Sequence, residues 1–159
     1  MSAPASWLVR AMQPADLGEV VQLAAEEPAA PHWPPSEFDR MLQAIAEAPA
    51  RRGAWVLLGP RADDRLAGFA MASHVAGICD LEAVVVRAAY RGQRGGQALV
   101  SAASAWARAL AASRVELEVR VSNRAALRLY GRLGFAEDGR RPGYYCNPEE
   151  DAVLMSLEL

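Results

Sequence analysis

Glu118 and Tyr130 are the residues most able to do chemistry together. They lie in Glu116-Leu-Glu-Val-Arg-Val-Ser-Asn-Arg-Ala-Ala-Leu-Arg-Leu-Tyr-Gly-Arg-Leu-Gly-Phe135, a carboxylate at a strand end and a phenol inside the next helix. A carboxylate accepts a proton at neutral pH, and a phenol with an ordinary pKa of about 10 still has one to give. An acid–base pair can be built from them. Each also has a plainer reading. Glu118 would serve as a solvent-facing strand carboxylate beside Glu116 and Arg120, and Tyr130 as an aromatic packed between Leu127 and Leu133.

A second stretch, Leu81-Glu-Ala-Val-Val-Val-Arg-Ala-Ala-Tyr-Arg-Gly-Gln-Arg-Gly-Gly96, runs from a strand through a Gly- and Arg-rich loop into a helix. Loop N–H groups and the positive end of a helix dipole form an anion site suited to a pyrophosphate. Glycine suits such a loop because its backbone approaches phosphate closely and adopts positive φ. An ordinary strand–helix connection has the same composition. The loop is not a P-loop, since no Gly-Lys-Ser/Thr follows, and it lacks the G-x-G-x-x-G order of dinucleotide sites.

The elements that must hold these groups follow from periodicity. Val115, Leu117, Val119 and Val121 alternate with Glu116, Glu118 and Arg120, which predicts a strand with one buried face. Ser122-Asn123 offers a helix N-cap, Leu127, Tyr130 and Leu133 follow at helical spacing, and Gly134 stops the helix. A longer helix is expected over Gly96–Ala111, with Leu99, Ala103, Trp106 and Leu110 on one stripe. Upstream, the sequence predicts a short strand at Trp7–Arg10 and a helix from Pro14 to about Glu26. A Pro-rich loop at Pro28–Pro35 and a helix over Ser36–Glu47 come next. Strands are expected at Ala54–Leu58, Leu66–Ser73 and Leu81–Val86, the first two joined by a hairpin break at Gly59–Asp64. Phe135–Arg140 and Ala152–Leu157 read as the last strands, separated by a Pro/Gly/Tyr-rich excursion. The pattern predicts one α/β domain over residues 1–159 with a mixed sheet.

Bulk properties exclude several classes of function. The chain has 17 Lys+Arg against 19 Asp+Glu, so bulk electrostatics do not favour direct nucleic-acid binding. The helix arginines Arg120, Arg124, Arg128 and Arg132 read as a solvated face. Two cysteines, Cys79 and Cys146, and two histidines, His32 and His74, lack metal-ligand spacing, so no metal is expected. Met1–Met12 has no basic start followed by an apolar run, and no stretch approaches the roughly 20 apolar residues of a membrane span. A reduced, cytoplasmic, metal-free protein is the expectation.

The two stretches, taken in this order, resemble the GNAT superfamily of acetyl-CoA-dependent N-acetyltransferases. Family members read Val-x-Pro-x-Tyr-Arg-Gly-x-Gly-x-Gly at the loop. Val86-Arg-Ala-Ala-Tyr-Arg-Gly-Gln-Arg-Gly-Gly96 aligns without a gap, with Ala88 at the usual proline and Arg94 at a loop glycine. A second register sets Gln93-Arg-Gly-Gly-Gln-Ala98 on the family's Gln/Arg-x-x-Gly-x-Gly/Ala signature, but only the ungapped one keeps Leu99, Val100 and Trp106 at apolar helix positions. Glu118, Asn123, Tyr130, Leu133-Gly-Phe135 and Arg141-Pro-Gly-Tyr-Tyr145 ahead of Glu150-Asp-Ala152 are similar to the bacterial ribosomal-protein-alanine N-acetyltransferases (RimI type). The Pro-rich loop with Trp33 ahead of Phe38 also resembles that subfamily.

The resemblance implies a mixed, mostly antiparallel central sheet flanked by helices on both faces. It implies acetyl-CoA as acetyl donor. Val84, Val85 and Val86 would supply backbone groups to the pantetheine arm. Arg91, Gly92, Gln93, Arg94, Gly95, Gly96 and Gln97 would wrap the pyrophosphate, and Asn123 would add a polar contact to its capping role. Glu118 becomes the general base, directly or through water, and Tyr130 the general acid in a direct transfer without an acyl-enzyme. Trp33, Tyr144 and Tyr145 would frame the acceptor, and Cys146 is incidental. The implied acceptor is a protein N-terminus, that of a small-subunit ribosomal protein beginning with alanine. A small-molecule amine, a lysine side chain, or a CoA-binding regulatory module without turnover are the competing functions.

Overall fold

The computed structural model describes residues 6–59 and 65–159. β1 (Leu8–Ala11) leads through a 3-10 turn at Pro14–Asp16 into α1 (Leu17–Glu26) and α2 (Pro35–Glu47). Then come β2 (Arg52–Leu58), β3 (Leu66–Val75), β4 (Ile78–Val86), α3 (Gly95–Ala109), β5 (Arg114–Arg120), α4 (Arg124–Arg132), β6 (Ala136–Tyr145) and β7 (Glu150–Glu158). The strands form a seven-stranded sheet in the order β1-β2-β3-β4-β5-β7-β6. Every neighbouring pair is antiparallel except β4 and β5. The mixed, mostly antiparallel sheet expected from the sequence is therefore present.

Helices cover both faces. Val20 and Leu23 of α1 and Phe38 and Met41 of α2 pack on Val56, Phe69, Met71 and Val85. On the other face Val100, Ala103 and Ala107 of α3 and Tyr130 of α4 pack on Ala72, Leu81, Val115 and Leu117. The alternation read in β5 holds, with Val115, Leu117 and Val119 buried and the residues between them half-buried.

Two elements depart from the sequence reading. The strand expected from Leu81 begins at Ile78, because Ala76 and Gly77 both take positive φ (51° and 79°) and turn β3 directly into β4. The Pro/Gly/Tyr-rich excursion after Arg140 is strand for much of its length, since β6 continues to Tyr145. Pro142 is tolerated there because β6 is the sheet edge, and a register shift between Arg141 and Tyr145 absorbs the irregularity. Of the expected hairpin break at Gly59–Asp64, residues 60–64 lie outside the described residues; β2 and β3 on either side pair antiparallel.

A bulge in β4 shapes the centre of the sheet. Met71 pairs with Ala83 and Ala72 with Leu81, leaving Glu82 as an extra residue. Cys79 and Leu81 pack on the α3 side, whereas Ala83 and Val85 pack on the α1–α2 side. Strict alternation would keep all four on one face; the extra residue exchanges the faces. β4 pairs with β5 only at Ile78↔Arg114, Cys79↔Val115 and Asp80↔Glu116. Beyond those pairs the two strands part, and among the described residues the backbone of β4 from Glu82 to Val86 has no strand partner on that side.

Candidate active site

The parting of β4 and β5 is lined by two clefts. The first, about 740 Å³, runs along Val84, Val85 and Val86 to the start of α3 and across to α4. The second, about 540 Å³, is lined by Asp80 and Glu82 of β4, Glu118 and Arg120 of β5, the Pro28–Trp33 loop, and Tyr144 and Tyr145 of β6. Ala29, Ala30, Val84, Asn123, Ala126 and Tyr130 line both. Tyr130 thus stands at the seam.

The first cleft has the form of a phosphate site. After a 3-10 turn at Ala88–Tyr90, Gly92 (φ 75°) and Arg94 (φ 66°) both take the left-handed conformation before α3 begins. Gly92 supplies that geometry at no steric cost, whereas Arg94 takes it with a side chain. Trp7 fixes the loop: its indole N–H donates to the Gln93 carbonyl (2.6 Å), and its ring meets Tyr90 edge-on at 5.8 Å. Gly95 has a packing reason besides its place in the cleft. A Cβ there would stand 2.7 Å from Cδ2 of the fully buried Leu57.

The loop residues divide into supports and lining. Arg91 does both: it lines the cleft, while its guanidinium pairs with the buried carboxylate of Glu27 and its Nε donates to the Val86 carbonyl (3.2 Å). Arg87 ties the same segment to the Leu66 carbonyl and to Glu26. Gln93 lies outside the lining, while Gly92, Arg94, Gly95, Gly96 and Gln97 form it. Arg128 and Arg132 line the cleft as well, where the sequence reading had a purely solvated face. Arg94, Arg128 and Arg132 have no carboxylate partner among the described residues. Their i, i+4 spacing on α4 was the available signal for the last two. Three cations and the opening turn of a 15-residue helix suit a ligand with several phosphates, and the unpaired edge of β4 suits an extended amide-bearing arm. The residues present fit CoA.

Asn123 caps α4 by accepting from the Ala126 N–H through its side-chain oxygen (3.2 Å), and it lines both clefts. Tyr130 is 7% exposed and packs against Phe135, with ring centroids 5.5 Å apart. Burial pushes its phenol well above the ordinary tyrosine range, so it stays protonated at any working pH. Trp33 packs on Phe38 (5.6 Å) and lines the second cleft.

Glu118 faces the second cleft, as expected, but it has company. Arg141 Nη1 lies 3.2 Å from its Oε1, and the Tyr144 phenol stands near the same carboxylate. Its interaction with Glu118, more than burial, raises the Tyr144 phenol above its usual range. Asp80 and Glu82 stand on the same wall. Asp80 is pushed up to about 6 by desolvation and by the neighbouring charges of Glu82, Glu118 and Glu116. Starting the strand at Leu81 left Asp80 out; Glu82 fell within the expected strand, but nothing local marked it as lining a cleft. Cys79 is fully buried, its thiol pushed up to about 12, and Cys146 is exposed in the turn after β6.

Comparison with known proteins identifies the family. The acetyltransferase (GNAT) family model matches residues 18–135. A Bacillus subtilis protein to which ribosomal protein bS18-alanine N-acetyltransferase activity is ascribed is 36% identical over 93 residues, 58% of this chain and 62% of that protein. An uncharacterised Mycobacterium leprae protein is 30% identical over 160 residues, which span 95% of this chain and 40% of that one. The chain thus covers less than two thirds of the length of either relative. The crystal structure of the Escherichia coli ribosomal-protein-S18-alanine N-acetyltransferase superposes with a TM-score of 0.80 at 26% identity, covering 96% of this chain and 94% of that one. With the family model matching most of its length and the fold shared throughout, this chain belongs to the GNAT acetyltransferase family.

Proposed function

We propose that this protein transfers an acetyl group from acetyl-CoA to the N-terminal α-amine of a protein, a small-subunit ribosomal protein beginning with alanine. One observation carries the reading: Tyr130 stands where a phosphate-suited cleft meets an acid-lined cleft, and Glu118 faces the latter. Such an arrangement lets donor and amine approach from opposite sides. The likeness to ribosomal-protein-alanine N-acetyltransferases supports the choice of acceptor.

Each side chain then has a definable task. An α-amine has a pKa of about 8, so it reaches the site largely as the ammonium ion. The carboxylates of Asp80, Glu82 and Glu118 attract that cation, and Glu118 takes the proton that frees the nitrogen lone pair. Acetyl-CoA supplies the acetyl group as an activated thioester. As the N–C bond forms and the C–S bond breaks, negative charge moves to sulfur. Tyr130 meets it with the only kind of proton that burial leaves in place, a phenolic one. Because burial also makes that phenol a weaker acid, it acts first as a hydrogen-bond donor to the departing thiolate and completes the transfer as charge accumulates. Backbone N–H groups on the open edge of β4 are available to polarise the thioester oxygen. An acceptor of this kind implies action in the cytoplasm. No described helix is long and apolar enough to cross a membrane.

The carboxylate-lined cleft also suits a polyamine or a lysine side chain, which gives the second reading. A panel containing an Ala-initiated peptide, the same peptide N-terminally blocked, spermidine and a lysine-bearing peptide separates them. The proposal expects acetylation of the free Ala-initiated peptide above all others. Preference for spermidine or lysine would reassign the acceptor, and CoA binding with no transfer to any amine would make the protein a binding module. Glu118→Gln is expected to lose at least about tenfold in kcat/KM near neutral pH and to recover partly in alkali, where the amine is already neutral. An unchanged pH–rate profile would remove Glu118 from the role of base.

A further inference from the structure

Arg120 was read from the sequence as part of a solvated arginine run, yet it is one of the most engaged side chains near the site. Its Nη1 donates to the Pro148 carbonyl (3.1 Å) and to Glu150 Oε2 (3.0 Å), and its Nη2 donates to the Cys146 carbonyl (3.1 Å). Its Cζ lies 4.4 Å from the centroid of the Tyr145 ring. One guanidinium therefore holds the turn between β6 and β7 at both ends and stacks on the residue that enters it. Glu150 extends the tie, because its Oε1 accepts from the Ser122 backbone N–H (3.1 Å). The bridged segments are those that matter to the site. Arg120 and Ser122 lie within the stretch from Glu118 to Asn123, and Tyr144 and Tyr145 line the acceptor cleft with Glu118.

We infer that Arg120 is the positioning residue of the acceptor site, stapling the β6–β7 turn so that Tyr144 and Tyr145 stand opposite Glu118. The inference rests on the proposed transferase reading and deepens it. Three features point to a role in positioning rather than in general stability. First, β6 is an edge strand with a register shift just before Tyr145, so the ladder alone fixes the turn loosely. Second, the contacts use the planar fork of a guanidinium, addressing two carbonyls, a carboxylate and a ring face together, which an ammonium cannot do. Third, the phosphate-suited cleft is not lined by Arg120, so cofactor binding and acceptor binding separate cleanly in a test.

The test compares wild type with Arg120→Met, Arg120→Lys and Glu150→Gln. It measures acetyl-CoA affinity by calorimetry, kcat and KM for the best amine of the acceptor panel, and hydrogen exchange of the Gly143–Glu149 amides. The expected result is a rise of about tenfold in acceptor KM for both Arg120 variants and a smaller rise for Glu150→Gln. Acetyl-CoA affinity should stay within about twofold, and exchange in the turn should quicken. Glu150→Gln keeps the guanidinium and its carbonyl contacts, so it remains informative if an Arg120 variant folds poorly. Unchanged acceptor KM in folded variants would overturn the inference even if exchange quickened. So would equal loss of acceptor and acetyl-CoA binding, or full rescue by lysine. A wild-type protein that acetylates no amine would overturn the transferase reading and this inference with it, whereas active wild type with indifferent variants would overturn the inference alone.

Discussion

Arg94 offers the sharpest test of how the loop is built, because its backbone and its side chain make opposite contributions. At φ 66° and ψ 16° it takes a left-handed conformation that costs an L-residue about 1–2 kcal/mol. Replacement by glycine removes that cost but adds unfolded-state freedom worth about 0.4–1 kcal/mol. The net expectation for Arg94→Gly is a gain of roughly 0.5–1 kcal/mol, or about 1–4 °C in Tm for a domain of this size. Arg94→Ala keeps the strain and should stay near wild type. Both variants remove an exposed cation from the cleft lined by Arg128 and Arg132, which at such a site is worth about 0.5–1 kcal/mol. Both should therefore weaken CoA binding by about two- to fivefold at low salt, with the difference shrinking at about 1 M salt, where the Debye length is near 3 Å. Thermal melts and calorimetric titration with CoA at two ionic strengths measure the two effects separately. If Arg94→Gly is no more stable than Arg94→Ala, the strain argument is wrong. If neither variant weakens CoA at low salt, the guanidinium does not reach the phosphates.

Three further expectations follow from the site. Tyr130→Phe should lower kcat by about 10–100-fold while CoA affinity and Tm hold, and wild-type kcat would demote Tyr130 to packing. Arg128→Ala combined with Arg132→Ala should raise the Kd for CoA by about tenfold at low salt without changing Tm appreciably, and an unchanged Kd would return these arginines to a solvated face. Asp80 titrates higher in the folded protein, at about 6, than in the unfolded chain, so between about pH 4 and 6 the folded state holds the extra proton. Its contribution to stability is therefore present below that window and lost as pH rises through it. Asp80→Asn should flatten that slope and stabilise the protein at pH 7 by up to about 1 kcal/mol, since solvent at the carboxylate screens the effect. Chemical denaturation across pH 4–8 checks it, and an unaltered slope would show that Asp80 is not held up by its neighbours.

Much of the placement of Glu118, Asn123 and Tyr130 was legible because it is local. The alternation that buries Val115, Leu117 and Val119 turns Glu118 to the other face, and Asn123 caps α4 through a contact confined to four consecutive residues. Tyr130 follows from that cap at helical spacing, and Gly134, at φ 96°, ends the helix as its type suggests. The loop before α3 was legible in composition but not in its division of labour. Arg91 lines the cleft as its position suggests, but its pairing with Glu27, distant in sequence, was not legible. The order of elements and the character of the sheet likewise followed from periodicities of two and 3.6 residues, which short-range sterics and burial impose.

Tertiary structure decided what periodicity has no means to encode. The bulge at Glu82 exchanges the faces of β4 in mid-strand, a change of register that appears only when β3 is laid beside it. The parting of β4 and β5 after Asp80↔Glu116 creates the seam in which the two clefts meet. Arg120 and Arg141 acquire their partners only because β6 and β7 return along β5, bringing Glu150, Cys146 and Tyr145 to one and setting the other on Glu118. A side chain's type and spacing state which bonds it is able to make. Which of them it does make depends on groups that the chain brings back from far along its length.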